Sequence, residues 1–294
     1  MRRPIVLFLA VCALLAPASA WAKPPLWVAH GAGATVTLFG SVHVLPRGMD
    51  WEPDPLKQAL GEADELWFET PIDSAALLEA ARLALAQGLL PDGRNLSDLL
   101  SADGKARLRR ETEALRLPGA QLERLRPWLA ELSLAEAAYA RDGATADQGV
   151  ERQLADSAPQ AQRHAFETPA QQIAMFAGQP DAVQAQSLQD TLRELEEDPD
   201  QSHRLIDAWL KGDLKAIEKE GVEELRRESP EMFDTLLTNR NAAWLRTLQE
   251  KLNAPPAPGQ GQKRIVVIVG VGHLTGPDGL PTLLRRKGIR VDGP

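Results

Sequence analysis

Two β-rich runs near opposite ends of the chain constrain its fold more than any other feature. The first, ATVTLFG, covers residues 34–40, and the second, KRIVVIVG, covers Lys263–Gly270. Each run is rich in β-branched residues and ends on a glycine, which is typical of a buried strand. Because one strand stands near each end of the chain, the sequence predicts a central sheet that both ends help to build.

The segments between these runs are predicted from their spacing. Short apolar segments indicate further strands at 26–29, 65–69 and 163–167, and the tail GIRV indicates a last one. Helical spacing predicts helices at Ser74–Gly88, 168–177, 182–196, 203–211 and 231–252. The sequence therefore predicts an α/β fold, with a mostly parallel or mixed central sheet and a helical insertion or cap over about residues 74–250.

The N-terminus has the pattern of a secretory signal peptide. Arg2 and Arg3 precede an apolar run at 5–15, and small residues stand before Ala20 and Ala22. Cleavage after either alanine fits, and we favour Ala22. The run is too short to span a bilayer as a mature helix. We therefore expect a single mature domain at 23–294 without a stable membrane anchor, secreted into the periplasm of a bacterium.

Composition narrows the chemistry of the mature chain. Cys12 is the only cysteine, so cleavage leaves neither a disulfide nor a thiol nucleophile. Loss of Arg2 and Arg3 lowers Lys plus Arg from 33 to 31 against 41 Asp plus Glu, giving a net charge of −10. That charge argues against binding to nucleic acid or to anionic lipid. Roughly 270 residues suit one large α/β domain.

Two short motifs each occur twice, directly after predicted strands. The motif FETP carries Glu69 and Glu167, and the motif G-x-x-H carries His43 and His273. In an open α/β sheet, ligands bind at the carboxyl ends of the strands. We therefore expect the two carboxylates and two imidazoles to meet in one cleft. The alternative for each glutamate is a solvated or structural role at the N-terminus of the helix that follows.

The last predicted helix carries an Arg-Asn pair. Asn241 shares one helical stripe with the apolar residues Trp244 and Leu248, and Arg240 flanks it. A buried amide needs hydrogen-bond partners, and a guanidinium needs an anion. Two interpretations stay open: Arg240 and Asn241 belong to the site, or Arg240 only pairs with a core carboxylate such as Glu69.

The order of these motifs resembles the TraB/GumN family, which includes the Tiki proteases and is related in fold to the erythromycin esterases. The resemblance covers essentially the whole mature chain. It implies an α/β fold built from two related halves and, for the Tiki branch, metal-dependent hydrolysis of peptide bonds. The family pattern has five parts: an N-terminal G-x-x-H (His43), a glutamate after the next strand (Glu69), a helical middle, an Arg-Asn pair (Arg240, Asn241), and a C-terminal G-x-x-H (His273).

A metal-dependent hydrolase is the first hypothesis. His43, His273 and Glu69 would bind one divalent ion, and this ligand set suits zinc, manganese or cobalt. Glu167 would act as general base, and Arg240 beside Asn241 would stabilise the oxyanion. The two glutamates can also exchange these roles.

Two other hypotheses use the same residues. In an esterase-type mechanism without metal, a histidine activates water directly and the glutamates orient it. A non-catalytic protein would instead bind a peptide or haem in the cleft. The expected partner is thus a peptide or small molecule, and the sequence does not choose an oligomeric state.

Overall fold

The computed structural model describes residues 23–256, 258–259 and 261–294, so the predicted signal peptide lies outside the described residues. The strands are β1 Leu26–His30, β2 Ala34–Ser41, β3 Leu45–Pro46, β4 Glu65–Phe68, β5 Ala144–Thr145, β6 Gln162–Ala165, β7 Lys263–Gly270 and β8 Arg290–Asp292. The α-helices are α1 Asp54–Gly61, α2 Ser74–Gly88, α3 Ala102–Ala114, α4 Gly119–Leu122, α5 Pro127–Arg141, α6 Val150–Gln153, α7 Pro169–Ala177, α8 Asp181–Glu197, α9 Gln201–Lys211, α10 Leu214–Ile217, α11 Glu223–Glu228, α12 Pro230–Phe233, α13 Asn239–Asn253 and α14 Leu280–Arg286.

Six strands form the main sheet in the order β6-β4-β7-β2-β1-β8. The first four of these are parallel to one another. Strand β1 is antiparallel to both of its neighbours, so the sheet is mixed. The predicted α/β fold with a mixed, mostly parallel sheet is confirmed. Strands β2 and β7, which come from opposite ends of the chain, lie side by side.

Both faces of the sheet are covered, which explains the unbroken apolar run of β7. Ile265, Val267 and Val269 pack on one face with Trp244 of α13. The intervening side chains pack on the other face with Trp209 of α9. A strand buried on both faces reads as a continuous apolar run rather than an alternating one.

The helical middle of the chain has a core of its own. Leu108 of α3, Leu134 of α5 and Leu188 of α8 belong to a buried cluster separate from the two that flank the sheet. The predicted helical insertion is therefore a packed layer and not a set of loops. Within the described part of the chain, no helix is both long and apolar enough to cross a membrane.

The prediction of one continuous helix over residues 231–252 is wrong. A π-helical turn at Asp234–Thr238 interrupts it, and α13 begins only at Asn239. A second π turn, Glu218–Val222, follows α10. Such widened turns often mark functional sites. Here the Leu236 carbonyl of the turn Asp234–Thr238 accepts a hydrogen bond from the Arg240 side chain.

Strand β4 begins on a buried glutamate, Glu65, and is followed directly by another, Glu69. Glu65, at its amino end, accepts hydrogen bonds from Trp67, Lys251 and Lys263. Burial alone would raise the pKa of Glu65, but these three donors outweigh it and lower the pKa to about 2. Glu65 lies at the edge of the sheet opposite to Glu69, so its role is structural.

We expect Glu65→Gln to destabilise the fold by about 1–3 kcal/mol at pH 7, the typical worth of hydrogen bonds to a charged group. Because the folded-state pKa lies below the ordinary value of 4.5, this stabilisation is present above pH 4.5 and is lost as the pH falls toward 2. Urea unfolding of both proteins at pH 7 and pH 3.5 measures the difference between their free energies of unfolding, which should become smaller at pH 3.5. The matched control is Glu62→Gln, whose exposed pair with Arg264 is worth at most about 1 kcal/mol.

Candidate functional site

Four adjacent parallel strands end at the candidate site. In sheet order, β6 leads to Glu167, β4 to Glu69, β7 to His273 and β2 to His43. The backbone N–H of Glu167 donates to the carbonyl of Glu69 at 2.9 Å, which extends the pairing of β4 and β6 to the glutamates themselves. The structure thus places the four residues of the repeated motifs at one edge of the sheet, each motif pair on neighbouring strands.

Gly270, at the end of β7, leaves space at the centre of this cluster because it has no side chain. Its N–H donates to Glu69 Oε1 at 2.7 Å. A Cβ on Gly270 would lie 3.2 Å from that oxygen and 3.8 Å from His43 Nε2. Any side chain at Gly270 would therefore fill the space in which His43 Nε2 and Glu69 face each other.

His273 is buried and its ring is fixed by Asn241. The Asn241 amide Nδ2 donates to the carbonyl of Asp278 at 2.8 Å, which turns its Oδ1 toward His273 Nδ1 at 2.7 Å. This pairing assigns the proton to Nδ1 and the lone pair to Nε2. Burial lowers the pKa of His273 to about 3, so the ring is neutral at physiological pH.

Arg240 lies at the centre of the buried groups. Its Nε and Nη2 donate to the two oxygens of Glu167 at 2.8 and 2.9 Å. Nη2 also donates to Glu69 Oε2, and Nη1 donates to His273 Nε2 and to the Leu236 carbonyl, both at 3.0 Å. A guanidinium has five N–H donors, and these contacts account for all five. The structure thus shows the predicted pairing of Arg240 with Glu69 and also places the guanidinium in contact with Glu167 and His273 of the candidate site.

Glu69 is ionised in this setting. Burial alone would raise its pKa, but His273, Arg240, His43 and the Gly270 N–H together lower it to about 2. Because His273 is itself neutral above its own pKa, the Arg240 charge and the Gly270 N–H keep the Glu69 carboxylate negative at neutral pH.

The sequence did not reveal the partner of His43. Glu151 of α6 accepts a bond from His43 Nδ1 at 2.8 Å, and the same oxygen accepts from Ser41 Oγ. The Glu151 carboxylate raises the pKa of His43 above the ordinary 6.5. Because 68% of the His43 side chain is exposed, solvent screens part of this attraction. In the sequence Glu151 resembles the many other glutamates on helices. Only its contact with His43, which is far away along the chain, distinguishes it.

Gln172 and Trp244 also contact the cluster and were not identified from the sequence. Gln172 Nε2 lies 3.3 Å from an oxygen of each glutamate, Glu69 and Glu167. Trp244 Nε1 donates to Glu167 Oε1 at 3.0 Å, and its ring packs on His273 with centroids 4.4 Å apart. Gln172 on α7 and Trp244 on α13 have the helical spacing of ordinary core residues, so the sequence pattern did not indicate that they lie at a site.

A comparison with known protein families identifies the family of this chain. The model of the TraB/PrgY/gumN family matches residues 25–293. The chain belongs to the TraB/PrgY/gumN family. The resemblance read from the order of its motifs is thereby confirmed. No curated protein and no solved structure matches the chain.

The predicted metal ligands of this TraB/PrgY/gumN protein have suitable chemistry but not suitable spacing. Both imidazoles use Nδ1 in a supporting hydrogen bond, as metal-bound histidines do. However, His43, Glu69 and His273 do not form a group whose ligand atoms all lie within 4.8 Å; the group of that kind among the described residues is Glu194, Glu224 and Glu228.

Arg240 already holds two of the predicted ligand groups. Its guanidinium contacts Glu69 Oε2 and His273 Nε2. A divalent ion bound by these atoms would therefore have to displace Arg240 from both. As arranged, the site does not fit the ion.

Two cavities meet at His43 and Glu69. One has a volume of about 490 Å³ and extends beneath the two π turns. The other, of about 470 Å³, extends toward α2 and α6. The shared residues form the boundary between them, so a ligand that fills both passes directly across His43 and Glu69.

We expect Glu151→Gln to lower the pKa of His43 toward 6.5, because the amide removes the negative charge that favours the imidazolium. A titration of the His43 ring signals by NMR measures the shift. Glu79→Gln on the exposed face of α2 is the matched control and should leave the His43 titration unchanged. An unchanged pKa in Glu151→Gln would contradict the pairing.

We expect Arg240→Met to strengthen Mn²⁺ binding by at least about tenfold, the lower end of what outer partners contribute at metal sites. The substitution removes the cation that contacts Glu69 and His273. Isothermal titration calorimetry measures the affinity, and Arg240→Lys, which keeps the charge, is the control. Equal Mn²⁺ affinity in the wild-type protein and Arg240→Met would show that Arg240 does not compete with the ion.

Proposed function

We propose that this protein is a secreted hydrolase that cleaves a peptide or ester bond lying across His43 and Glu69. One observation carries the proposal: His43 is held through Nδ1 by the partly buried Glu151 while its Nε2 faces Glu69 beside the open space at Gly270. An imidazole held by a carboxylate on one nitrogen and open on the other is the arrangement of a general base.

His43, Glu69 and Glu151 have different roles in the activation of a water molecule. A water between His43 Nε2 and Glu69 Oε1 would donate one proton toward each, so that Glu69 orients it while His43 removes a proton as the water attacks the carbonyl carbon. The ionised Glu151 stabilises the imidazolium that forms. His43 then returns the proton to the leaving amine or alcohol, which restores the starting state.

Arg240 has a different role here from the oxyanion stabiliser predicted from the sequence. Its five N–H groups all bond to protein atoms, so donation to a substrate oxygen would break one of these bonds. We therefore assign Arg240, together with Asn241, to positioning: Arg240 holds Glu69 and Glu167, and Asn241 holds His273. Glu167, which pairs with Arg240 on both oxygens, shares this role.

Metal-dependent hydrolysis is the second candidate. The carboxylates of Glu69, Glu151 and Glu167 outnumber the single guanidinium of Arg240, and this excess of oxygen ligands favours it. A zinc, manganese or cobalt ion would be held by His43, His273 and Glu69 and would supply a bound water of lowered pKa. This candidate requires Arg240 to move, whereas direct activation by His43 uses the residues where they lie.

We expect His43→Ala and Glu69→Gln each to lower kcat/KM by about 10²–10⁴-fold, the usual contribution of general acid–base catalysis. For the wild type, kcat/KM should rise with pH through the pKa of His43, since only the neutral imidazole accepts a proton. Glu151→Gln should move this rise to lower pH while reducing its plateau. A panel of fluorogenic peptides and p-nitrophenyl esters provides the substrates.

The same assays separate the rival functions. Full activity after treatment with a chelator supports direct activation by His43, whereas activity that is lost and then restored by Mn²⁺, Zn²⁺ or Co²⁺ supports the metal-dependent candidate. Tight binding of a peptide or of haem without turnover would instead support a binding protein. N-terminal sequencing of the exported protein tests secretion, with Lys23 as the expected first residue.

A further inference from the structure

The cavity of about 490 Å³ has two chemically different parts. At its base lie the polar groups of the site, including His43, Glu69 and His273. The remaining wall is dominated by apolar side chains that are contributed by five different elements: Phe176, Leu205, Val222, Leu225, Leu236 and Leu237. Pockets that hold organic ligands combine an apolar lining with a few polar groups in this way, and their volumes typically start near 300 Å³.

Both π turns of the described chain contribute to this apolar wall. The turn Glu218–Val222 supplies Val222, and the turn Asp234–Thr238 supplies Leu236 and Leu237. A Cβ on Gly272, in the second G-x-x-H motif, would touch Leu237 and Val222 at 3.7 Å each. The two widened turns therefore place apolar side chains directly over the loop that carries His273, which is consistent with the frequent use of π turns at functional sites.

These apolar side chains are incompletely covered by the protein. Leu225, Leu236, Leu237 and Phe176 are half-buried, in contrast to the fully buried leucines of the three core clusters. Apolar surface that stays accessible inside a concave site is stabilised when an apolar group of a ligand covers it. The wall thus has the chemistry to bind such a group.

The second cavity has a more polar lining. Asp147, Glu151, Arg152 and Gln172 line it, while His43 and Glu69 are common to both cavities. A substrate that spans both therefore meets an apolar environment on one side of His43 and a charged environment on the other. This asymmetry defines which end of a linear substrate enters which cavity.

We propose that the apolar cavity is a specificity subsite for a bulky aliphatic or aromatic group adjacent to the scissile bond. The substrate is then a linear amphiphilic molecule, a peptide or an ester, whose apolar side chain lies under the π turns and whose polar portion lies toward α6. The inference rests on the proposed hydrolase function for its catalytic part, but binding of the apolar group does not require turnover.

Two variants test the subsite. Leu225→Gln keeps the approximate size of the side chain but makes the wall polar, and Leu237→Trp fills the cavity from the turn Asp234–Thr238. Leu78→Gln is the matched control, because Leu78 is 72% exposed and lines neither cavity. Circular dichroism and thermal melting establish that each variant is folded.

The first measurement compares two substrates that differ only in a leucine or a glycine beside the scissile bond. The wild type should prefer the leucine substrate by at least about tenfold in kcat/KM, the size of effect that an apolar pocket gives. Leu225→Gln and Leu237→Trp should lose most of this preference, and Leu78→Gln should keep it. An equal preference in Leu225→Gln and the wild type, or a wild-type preference for glycine, would overturn the subsite.

The second measurement is independent of catalysis. Nile red, a neutral apolar dye, should bind the wild type and Leu78→Gln with increased fluorescence, and it should bind Leu225→Gln and Leu237→Trp several-fold more weakly. The leucine peptide should displace the dye better than the glycine peptide does. If the wild type hydrolyses none of the substrates but shows this binding pattern, the proposed function fails and the subsite stands. Dye binding that is the same in all four proteins overturns the subsite whether or not hydrolysis occurs.

Discussion

The guanidinium of Arg240 is the interaction on which the candidate site depends. It joins α13 to the ends of three strands by bonding to Glu167, Glu69 and His273. All these groups are buried, and an unpaired charge at such a place would strongly destabilise the fold. The same contacts therefore serve two purposes: they connect the last long helix to the sheet, and they position both carboxylates at its carboxyl edge.

This ionic cluster divides the four motif residues into two classes. Glu167, Glu69 and His273 are buried and each is bonded to Arg240, so their geometry is rigid. His43 is exposed and is held from behind by Glu151. A site that combines a preorganised buried part with one accessible imidazole needs little reorganisation when a substrate arrives, which is the condition for efficient electrostatic catalysis. The proposed role of His43 as general base follows from this division.

Much of the arrangement could be predicted from the sequence because its causes are local. The FETPAQQ segment has the pattern of a capping box, and in the structure Thr168 and Gln171 each bond to the backbone N–H of the other, which starts α7 just after Glu167. The run of β7 predicted a strand, which the structure confirms and buries on both faces. Since parallel strands end at a common edge, locating each motif after a strand was enough to predict that the four residues would meet.

The sequence by itself thus determined the family, the α/β class and the convergence of Glu69, Glu167, His43 and His273, because strand ends and caps depend on neighbouring residues. Only the tertiary structure decided which group bonds to which. Glu151 reaches His43 across more than a hundred residues of chain, and the π turn before α13 sets where Arg240 points. Such contacts depend on how helices pack over the sheet, and the charge of each group depends in turn on those contacts, so neither is encoded in a local pattern.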